Sequence, residues 1–372
     1  MKILQLGKFY PPDMGGIETA IYNITEELNK RGIVCDVLCS NSESKYTEDV
    51  LKGYKVYRTK SYGKVASTSI TPQIIFKLRE IVNRYDIIHI HHPDPMTNLA
   101  LFLVNPKKQK VILHWHSDII RQKFLLKFYL PLQNWLLNRA DAIIGTTNEY
   151  IAGSNYLPKY KHKCVSIPLG IRKFDHDINI VNQLRERYRG KKVIFALGRF
   201  VYYKGFEYLI QSANYIDEDM VLIIGGDGPL KSKYLKMVKK YNLGEKVYFI
   251  GNIPQEILGS YYEFCDIFCL PSINKSEAFG LVQLEAMSFR KPVVATNISG
   301  SGVNWVNQDG ITGLNVKPKK PEELANAFKH ILKNEKLYIF SQNAGRRFKE
   351  EFTVEKETYS IVELYTRVLT LG

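Results

Sequence analysis

The chain has 372 residues, a net charge of +15, an apolar fraction of 45% and a charged fraction of 24%. This composition is typical of globular proteins, and the length predicts two domains at roughly 150 residues each. No apolar run reaches the 18 or so residues of a transmembrane helix, which excludes a helical membrane protein. Since there is no signal-peptide layout and the five cysteines lack zinc-binding spacing, we expect a cytoplasmic protein with reduced thiols.

The positive charge is larger in the N-terminal half of the chain. Such an excess favours an anionic partner, for example a phosphate or an acidic lipid, although solubility alone would also explain it. The aromatic residues are not interleaved with the basic ones as a base-stacking platform requires, so we predict no nucleic-acid partner.

Apolar strands alternate with amphipathic helices along the first 170 residues. The predicted strands are 2–6, 34–39, 86–90, 111–115 and 142–145, and the predicted helices are 17–30, 72–84, 96–104 and 122–138. This alternation indicates a parallel sheet with crossover helices. Sheets of this kind bind ligands at the carboxyl ends of their strands.

The polar stretch 171–191 is predicted to be a linker, after which the alternation restarts. The predicted strands are 193–197, 221–224, 247–250, 266–270 and 293–295, and the predicted helices are 205–216, 229–241, 255–264, 280–289, 321–333, 336–349 and 354–369. We therefore predict an α/β fold of two doubly wound, parallel-sheet, Rossmann-like domains, 1–171 and 172–353. The C-terminal helix, within 354–372, is predicted to cross back onto the first domain.

The run from Glu277 to Glu285 joins a predicted strand end to a helix that opens at Gly280. Carboxylates at these two places can hold sugar and ribose hydroxyls, because ionised oxygens accept strong hydrogen bonds. The helix N-terminus between them offers free N–H groups to a phosphate. By itself the pair of glutamates would fit a solvated surface helix equally well.

Three further loops are predicted at the same edge of the second sheet. Arg199 and Lys204 share a strand-to-helix loop and form a cationic clamp suited to a diphosphate. Glycine-rich strand ends occur at 225–229 and 251–254. The convergence of these loops with Glu277 on one edge predicts a nucleotide-sugar site.

Two glycines and several histidines mark strand ends in the first domain. Gly15 and Gly16 lie between the first strand and helix, where a backbone without side chains lets a phosphate approach. They do not form the G-x-G-x-x-G pattern of a dinucleotide site.

His116 follows a predicted strand and can donate to a sugar hydroxyl or move a proton. The histidines within 89–92 have no matching ligand cluster in the sequence, so no metal site is predicted.

Taken together in this order, these motifs resemble those of the retaining glycosyltransferases of family 4, which have the GT-B architecture of two Rossmann-like domains facing across a cleft. The resemblance covers essentially the whole chain. The motifs that carry it are Gly15-Gly16-Ile17-Glu18, Gly198-Arg199 with Lys204-Gly205, 225–229, Pro271-Ser272, and Glu277 with Glu285.

The resemblance implies a role for each residue. His116, Arg199, Lys204 and Glu277 would be catalytic. The donor would be held by residues from both domains, namely Gly15, Gly16, Arg199, Lys204, Gly226, Ile253, Glu277, Ala278, Phe279, Gly280, Leu281 and Glu285. The acceptor would contact Glu18, Asp118 and Arg121. No metal and no cofactor would be needed.

The segment 116–123 resembles mannosyltransferases of bacterial O-antigen and polysaccharide pathways. This implies GDP-mannose as the donor, with UDP-glucose or a UDP-N-acetylhexosamine as the alternative. The acceptor is predicted to be a lipid-linked saccharide. Because cations and large apolar residues mix within 121–130, we expect peripheral attachment to the anionic inner face of the plasma membrane. The alternative for the segment 121–130 is a core helix with a basic outer face. The alternative for the whole protein is a non-enzymatic two-lobe sugar-binding protein.

Overall fold

A computed structural model describes residues 1–13, 15–65, 68–119, 123–333 and 335–370, without the side chains of 123–126. The chain forms two compact units, one of Met1–Gly170 with Val354–Gly372 and one of Ile171–Thr353. Within the described ranges, none of the helices has both the length and the apolar character needed to cross a bilayer.

The first unit is built on an eight-stranded sheet. Its strands, together with a two-stranded ribbon of β5 and β6, are β1 (Lys2–Leu6), β2 (Val34–Ser40), β3 (Thr47–Leu51), β4 (Tyr54–Thr59), β5 (Lys64–Val65), β6 (Thr68–Ser69), β7 (Ile87–His92), β8 (Lys110–Trp115), β9 (Ala142–Gly145) and β10 (Cys164–Ser166). Its first helices are α1 (Gly16–Lys30), α2 (Gln73–Ile81), α3 (Pro95–Val104), α4 (Lys123–Arg139) and α5 (Asn148–Gly153). The sheet order is β10-β9-β8-β7-β1-β2-β4-β3, parallel except where β3 pairs with β4.

The second unit contains a six-stranded parallel sheet. Its strands are β11 (Lys192–Leu197), β12 (Met220–Gly225), β13 (Val247–Gly251), β14 (Ile267–Leu270), β15 (Val293–Thr296) and β16 (Gly313–Val316). Its helices are α6 (Ile178–Arg187), α7 (Phe206–Ser212), α8 (Lys231–Lys240), α9 (Gln255–Phe264), α10 (Leu281–Ser288), α11 (Val303–Val306), α12 (Pro321–Leu332) and α13 (Glu335–Glu351). The last helix, α14 (Val354–Thr370), belongs to the first unit, where Ile361, Leu364 and Tyr365 join a core with Ile24 and Leu28 of α1.

The prediction of a polar linker at 171–191 is wrong. Residues Ile178–Arg187 form α6, which begins with the Asp177 side chain accepting from the Asn179 amide and buries Val181 and Leu184. These two apolar residues are three apart and lie on one helix face, so a short amphipathic helix was present in the sequence but was masked by its many charged residues. The sequence analysis also missed the strands β3, β4 and β16, the ribbon of β5 and β6, and the short helices α5 and α11.

Strand order reverses once in each sheet. In the second unit the order β13-β12-β11-β14-β15-β16 places the reversal between β11 and β14. In the first unit it lies between β1 and β7. The helices that follow two such adjacent strands lie on opposite faces of the sheet, so the two loops diverge and a crevice opens at the carboxyl ends of the strands. The loops after these four strands therefore line the two ligand crevices that the fold provides.

A buried carboxylate on α14 makes the stability of the first unit depend on pH. Glu357 is 2% exposed, and its Oε2 accepts from the Gly170 amide at 2.8 Å. Burial raises the pKa of Glu357 to about 8, although this hydrogen bond acts against the shift. The folded chain therefore binds this proton up to a higher pH than the unfolded chain does, so the free energy of unfolding falls as pH rises from about 4.5 toward about 8.

We expect Glu357→Gln to raise the melting temperature at about pH 9 and to change it little near pH 5. The neutral amide still accepts from Gly170 but has no charge to desolvate. At about pH 9 its free energy of unfolding should therefore exceed that of the wild type by about 1–3 kcal/mol. Thermal denaturation at the two pH values measures this. Glu363→Gln, at an exposed position of the same helix, is the control and should show no such pH-dependent gain. Equal melting temperatures for Glu357→Gln and wild type at about pH 9 would contradict a buried, ionising Glu357.

Candidate active site

The loops after β11 and β14 pack directly against each other in the second unit. Gly205 has a φ of +67°, and a Cβ there would lie 2.1 Å from the Pro271 carbonyl oxygen. The Ile273 amide also donates to the Tyr203 carbonyl at 2.8 Å. Because only glycine permits this approach, Gly205 fixes the position of Lys204 against the strand end that carries Glu277.

Lys204 and Glu277 form a buried ion pair. Lys204 Nζ lies 2.7 Å from Glu277 Oε2, and the Ser272 hydroxyl donates to the same oxygen at 2.7 Å. The two charged side chains are 12% and 9% exposed. Burial alone would lower the pKa of Lys204, but the charge of Glu277 and its hydrogen bond, together with Tyr203 and Glu285, outweigh burial and leave the pKa raised. Lys204 is therefore a permanent cation, and Glu277 Oε1 has no partner among the described residues.

A second set of contacts fixes the backbone around Glu277. The Ser301 hydroxyl donates to the Glu277 carbonyl oxygen at 2.5 Å, and the Gly302 amide donates to the Ala278 carbonyl oxygen at 2.7 Å. The Glu277 amide donates to the Asn274 carbonyl oxygen at 3.0 Å. The Glu277 side chain is thus held by rigid neighbours, as a binding carboxylate needs to be.

The N-terminus of α10 offers free donors beside this ion pair. Gly280, at a φ of +78°, caps the helix in the left-handed conformation. Within the described part of the chain, the amides of residues 278–282 have no hydrogen-bond acceptor. Consecutive free amides at a helix N-terminus attract an anion, and the donor contacts of Ala278, Phe279, Gly280 and Leu281 stay predictions.

Glu285 lies on α10 and accepts from the Tyr262 hydroxyl at 2.5 Å. Burial raises the pKa of Glu285, although the Tyr262 hydrogen bond and the charge of Lys204 act in the opposite direction. Glu285 therefore belongs to the same electrostatic cluster as Lys204 and Glu277. The role of Tyr262 was not predicted, and no pattern in the sequence distinguishes it from a core aromatic residue.

Arg199 is exposed, and its guanidinium has no partner within the residues that the structure describes. It contributes an unpaired positive charge to the β11 loop, whereas the charge of Lys204 is paired with Glu277. Ile253 is half-buried, and its side chain packs against Gly225 at the end of β12. Both residues remain predictions as ligand contacts.

Gly226 has a packing role that the sequence did not indicate, while its contact with the donor stays a prediction. Its φ is +117°, and a Cβ would lie 2.1 Å from the Gly198 carbonyl oxygen. The Gly226 amide also donates to the Gly251 carbonyl oxygen at 2.6 Å. Glycine is required here so that neighbouring strand-end loops can approach each other, which is a structural reason for the motif.

In the first unit, Gly15 and Gly16 are exposed at the start of α1, at the reversal of strand order. The Thr19 amide and hydroxyl both bond to the Gly15 carbonyl oxygen, at 2.9 and 2.8 Å. Glu18 lies in the first helical turn, with Oε2 2.5 Å from where a Gly15 Cβ would be. A side chain at Gly15 would therefore displace Glu18, which places these two predicted residues together.

His116 is 7% exposed and follows β8. Its Nε2 lies 2.9 Å from Nδ1 of His91, and its ring stacks on His114 with centroids 4.2 Å apart. Burial lowers the pKa of His116 to about 3, so the ring is neutral. The sequence placed His116 at a strand end but gave no indication of its partner on β7.

Asp118 was predicted to contact the acceptor, and this stays a prediction, although its carboxylate is already engaged by neighbours in the first unit. Its Oδ1 accepts from Trp115 Nε1 at 2.9 Å and from the Ser154 hydroxyl at 2.7 Å, while Oδ2 accepts from the Asn155 amide at 2.8 Å. It is 8% exposed. Asp118 therefore ties the β8 loop to the end of α5. Arg121, the other predicted acceptor contact on this segment, lies outside the described residues.

The strand-end histidines do form a cluster, contrary to the expectation that no matching residues exist. Ring nitrogens of His89, His91 and His114 all lie within 4.8 Å of one another, and all three are buried. However, their rings are stacked with interplanar angles of 9–26°. A nitrogen lone pair lies in the plane of its ring, so three nearly parallel rings do not direct their lone pairs at one ion.

The two units match two family models. The model described as "Glycosyltransferase Family 4" matches residues 14–171, and "Glycosyl transferases group 1" matches residues 180–348. O-antigen chain mannosyltransferase C of Escherichia coli is 32% identical over 99% of both chains. D-rhamnosyltransferase WbpZ of Pseudomonas aeruginosa is 29% identical over 95% of this chain and 92% of its own. The structure of sucrose-phosphate synthase from Thermosynechococcus elongatus superposes with a TM-score of 0.80 at 22% identity, covering 100% of both chains.

The paired Rossmann-like units and the cation–carboxylate cluster at a strand-order reversal define a GT-B glycosyltransferase. The chain belongs to glycosyltransferase family 4. It is therefore an enzyme that transfers a sugar, as are the relatives named above. This membership excludes the alternative of a non-enzymatic sugar-binding protein.

Proposed function

We propose that this enzyme is a retaining hexosyltransferase that moves mannose from GDP-mannose onto a lipid-linked saccharide in bacterial surface-polysaccharide synthesis. The observation that carries the proposal is the buried Lys204–Glu277 pair beside the free amides of residues 278–282. Full-length similarity to an O-antigen mannosyltransferase supports mannose as the sugar.

In this proposal the sugar is held by Glu277 and the diphosphate by its neighbours. Glu277 Oε2 is taken by Lys204 and Ser272, so Oε1 is the oxygen that accepts from hexose hydroxyls. The amides of 278–282 and the cations of Arg199 and Lys204 bind the two phosphates. Glu285 accepts from the ribose hydroxyls.

Departure of the nucleoside diphosphate builds negative charge on the β-phosphate. Arg199, Lys204 and the α10 amides are fixed cations and dipoles that stabilise this charge, each key donor being worth about 3–4 kcal/mol. With these groups in place, we propose that no divalent metal is needed. No carboxylate of this cluster is unpaired and exposed as a covalent nucleophile would be, so we propose front-face displacement with retention at the anomeric carbon.

The donor is tested by comparing GDP and UDP in a thermal-shift assay, followed by transfer assays with GDP-mannose, UDP-glucose and a UDP-N-acetylhexosamine. In the presence of EDTA, we expect GDP but not UDP to raise the melting temperature. Of the three donors, we expect only GDP-mannose to be turned over. Stabilisation by UDP and not by GDP would contradict the mannose assignment and favour the UDP-sugar alternative.

The acceptor is proposed to be lipid-linked and the protein to attach peripherally to an anionic membrane. On the first unit, Phe102, Leu103 and Phe128 are 43%, 47% and 72% exposed, and Lys107 and Lys108 lie on the surface just beyond α3. Exposed apolar side chains beside cations suit the interface of an anionic bilayer. Flotation with vesicles tests this proposal. We expect the protein to float with anionic vesicles and not with neutral ones, and failure to float with either kind would contradict it.

A further inference from the structure

Three polar side chains from three neighbouring strands form a continuous hydrogen-bonded chain that ends at His116. Gln5 of β1 has its Oε1 2.8 Å from His91 Nε2, on β7. His91 Nδ1 lies 2.9 Å from His116 Nε2, just beyond β8. Gln5, His91 and His116 are 0%, 1% and 7% exposed. Gln5 and His91 are therefore out of solvent, and water does not supply them with alternative partners.

The direction of each hydrogen bond in this chain follows from its first member. The amide oxygen of Gln5 can only accept, so His91 must carry its hydrogen on Nε2. A neutral imidazole has one hydrogen, which leaves a bare lone pair on His91 Nδ1. That lone pair can only be met by an N–H, so His116 carries its hydrogen on Nε2 and presents a bare Nδ1.

The requirement that both rings be neutral is met by their surroundings. Burial lowers the pKa of His91 well below its ordinary value and that of His116 to about 3. No carboxylate bonds to either ring among the described residues, and the rings stacked on them are other buried histidines, His89 and His114.

We propose that Gln5 and His91 are positioning residues that hold His116 in one tautomer, with Nδ1 as a hydrogen-bond acceptor. Among the described residues Nδ1 has no partner, so it is the nitrogen left for a ligand. An acceptor nitrogen binds a hydroxyl group by accepting the hydrogen of that hydroxyl. His116 therefore receives a hydrogen bond from a sugar hydroxyl and does not donate one. This last step rests on the proposed function, whereas the tautomer does not.

The tautomer is measured in the wild-type protein by long-range ¹H–¹⁵N correlation NMR with ¹⁵N-labelled histidine, which distinguishes a protonated ring nitrogen from a bare one. His116 is identified by the signals lost in His116→Gln. The expected result is a protonated Nε2 and a bare Nδ1. A proton on Nδ1, alone or on both nitrogens, would overturn the proposal.

The variant Gln5→Met keeps the length of the side chain but removes the acceptor. We expect His116 to show a mixture of tautomers, and kcat for sugar transfer to fall about 2- to 10-fold, in proportion to the fraction of His116 that loses the productive tautomer. KM for the donor should change little, because the other donor contacts remain. The control His114→Phe keeps the ring stacking and is not part of the chain, so it should leave the His116 tautomer as in wild type.

The outcomes separate this inference from the function on which its last step rests. An unchanged His116 tautomer in folded Gln5→Met would overturn the positioning role. If the tautomer is as expected and shifts in Gln5→Met, but no nucleotide sugar is turned over by the wild type, the positioning role stands and the proposed function fails. Melting temperatures of both variants establish that the folded protein is being compared.

Discussion

Replacing Lys204 by Met is expected to lower kcat/KM for sugar transfer by about 10²- to 10³-fold, the loss typical of removing one preorganised donor to a developing oxyanion. Met preserves most of the aliphatic stem, so the loss reports the cation. Nζ of Lys204 lies 2.7 Å from Glu277 in a buried site, where a charge acts far more strongly than in water. Steady-state kinetics with the preferred donor measures the effect.

The matched control for this variant is Lys231→Met. Lys231 also pairs with a carboxylate, Asp227, at 2.6 Å in the same unit, but it is 43% exposed. Its removal should leave kcat/KM near the wild-type value, because an exposed ion pair contributes little. If Lys204→Met retains kcat/KM within about tenfold of wild type, Lys204 does not stabilise the leaving group.

Glu277→Gln is expected to separate sugar transfer from nucleotide binding. The neutral amide still accepts from Lys204 and Ser272, so the loop remains folded, but it is a weaker acceptor for the hexose hydroxyls. Since charged hydrogen bonds are worth about 1.5–3 kcal/mol, kcat/KM should fall roughly 10- to 150-fold. Loss of its counter-charge leaves Lys204 as an unbalanced cation, so affinity for the free nucleoside diphosphate should be unchanged or higher.

Calorimetric titration with GDP and kinetics with the donor sugar measure the two halves of this prediction. Glu207→Gln is the control, because Glu207 also pairs with a lysine, Lys233, in the same unit but lies outside the cluster. Weaker GDP binding by Glu277→Gln would contradict the assignment of Glu277 to the sugar. Lys204→Met should lower both the affinity for GDP and kcat/KM for sugar transfer, whereas Glu277→Gln should lower only kcat/KM.

The positions of the Lys204 and Glu277 loops were predictable, because they follow from strand alternation alone. Arg199, Lys204 and Glu277 lie directly after apolar strands, and parallel strands bring their carboxyl ends to one edge. What the sequence did not contain was the strand order, so it could not show that β11 and β14 are neighbours across the reversal. The buried pairing of Lys204 with Glu277 depends on that adjacency.

Packing roles were harder to predict than loop positions, because one residue type can serve both binding and packing. Asp118 and Gly226 fit the expected motifs, yet the first is saturated by hydrogen bonds from Trp115, Ser154 and Asn155, and the second lets two loops meet. Sequence gives the residue type but not its partners. The pairing of His91 with His116 likewise depends on the register of β7 and β8.

The central claim is that the second unit holds a nucleotide sugar by its diphosphate and its hexose at the Lys204–Glu277 pair. A crystal structure of the protein with the intact donor and EDTA tests this most directly. We predict phosphate oxygens within hydrogen-bond distance of Lys204 Nζ, the Arg199 guanidinium and the amides of 278–282, and hexose hydroxyls on Glu277. A donor bound away from these groups, or bridged to the protein only through a metal ion, would contradict the account.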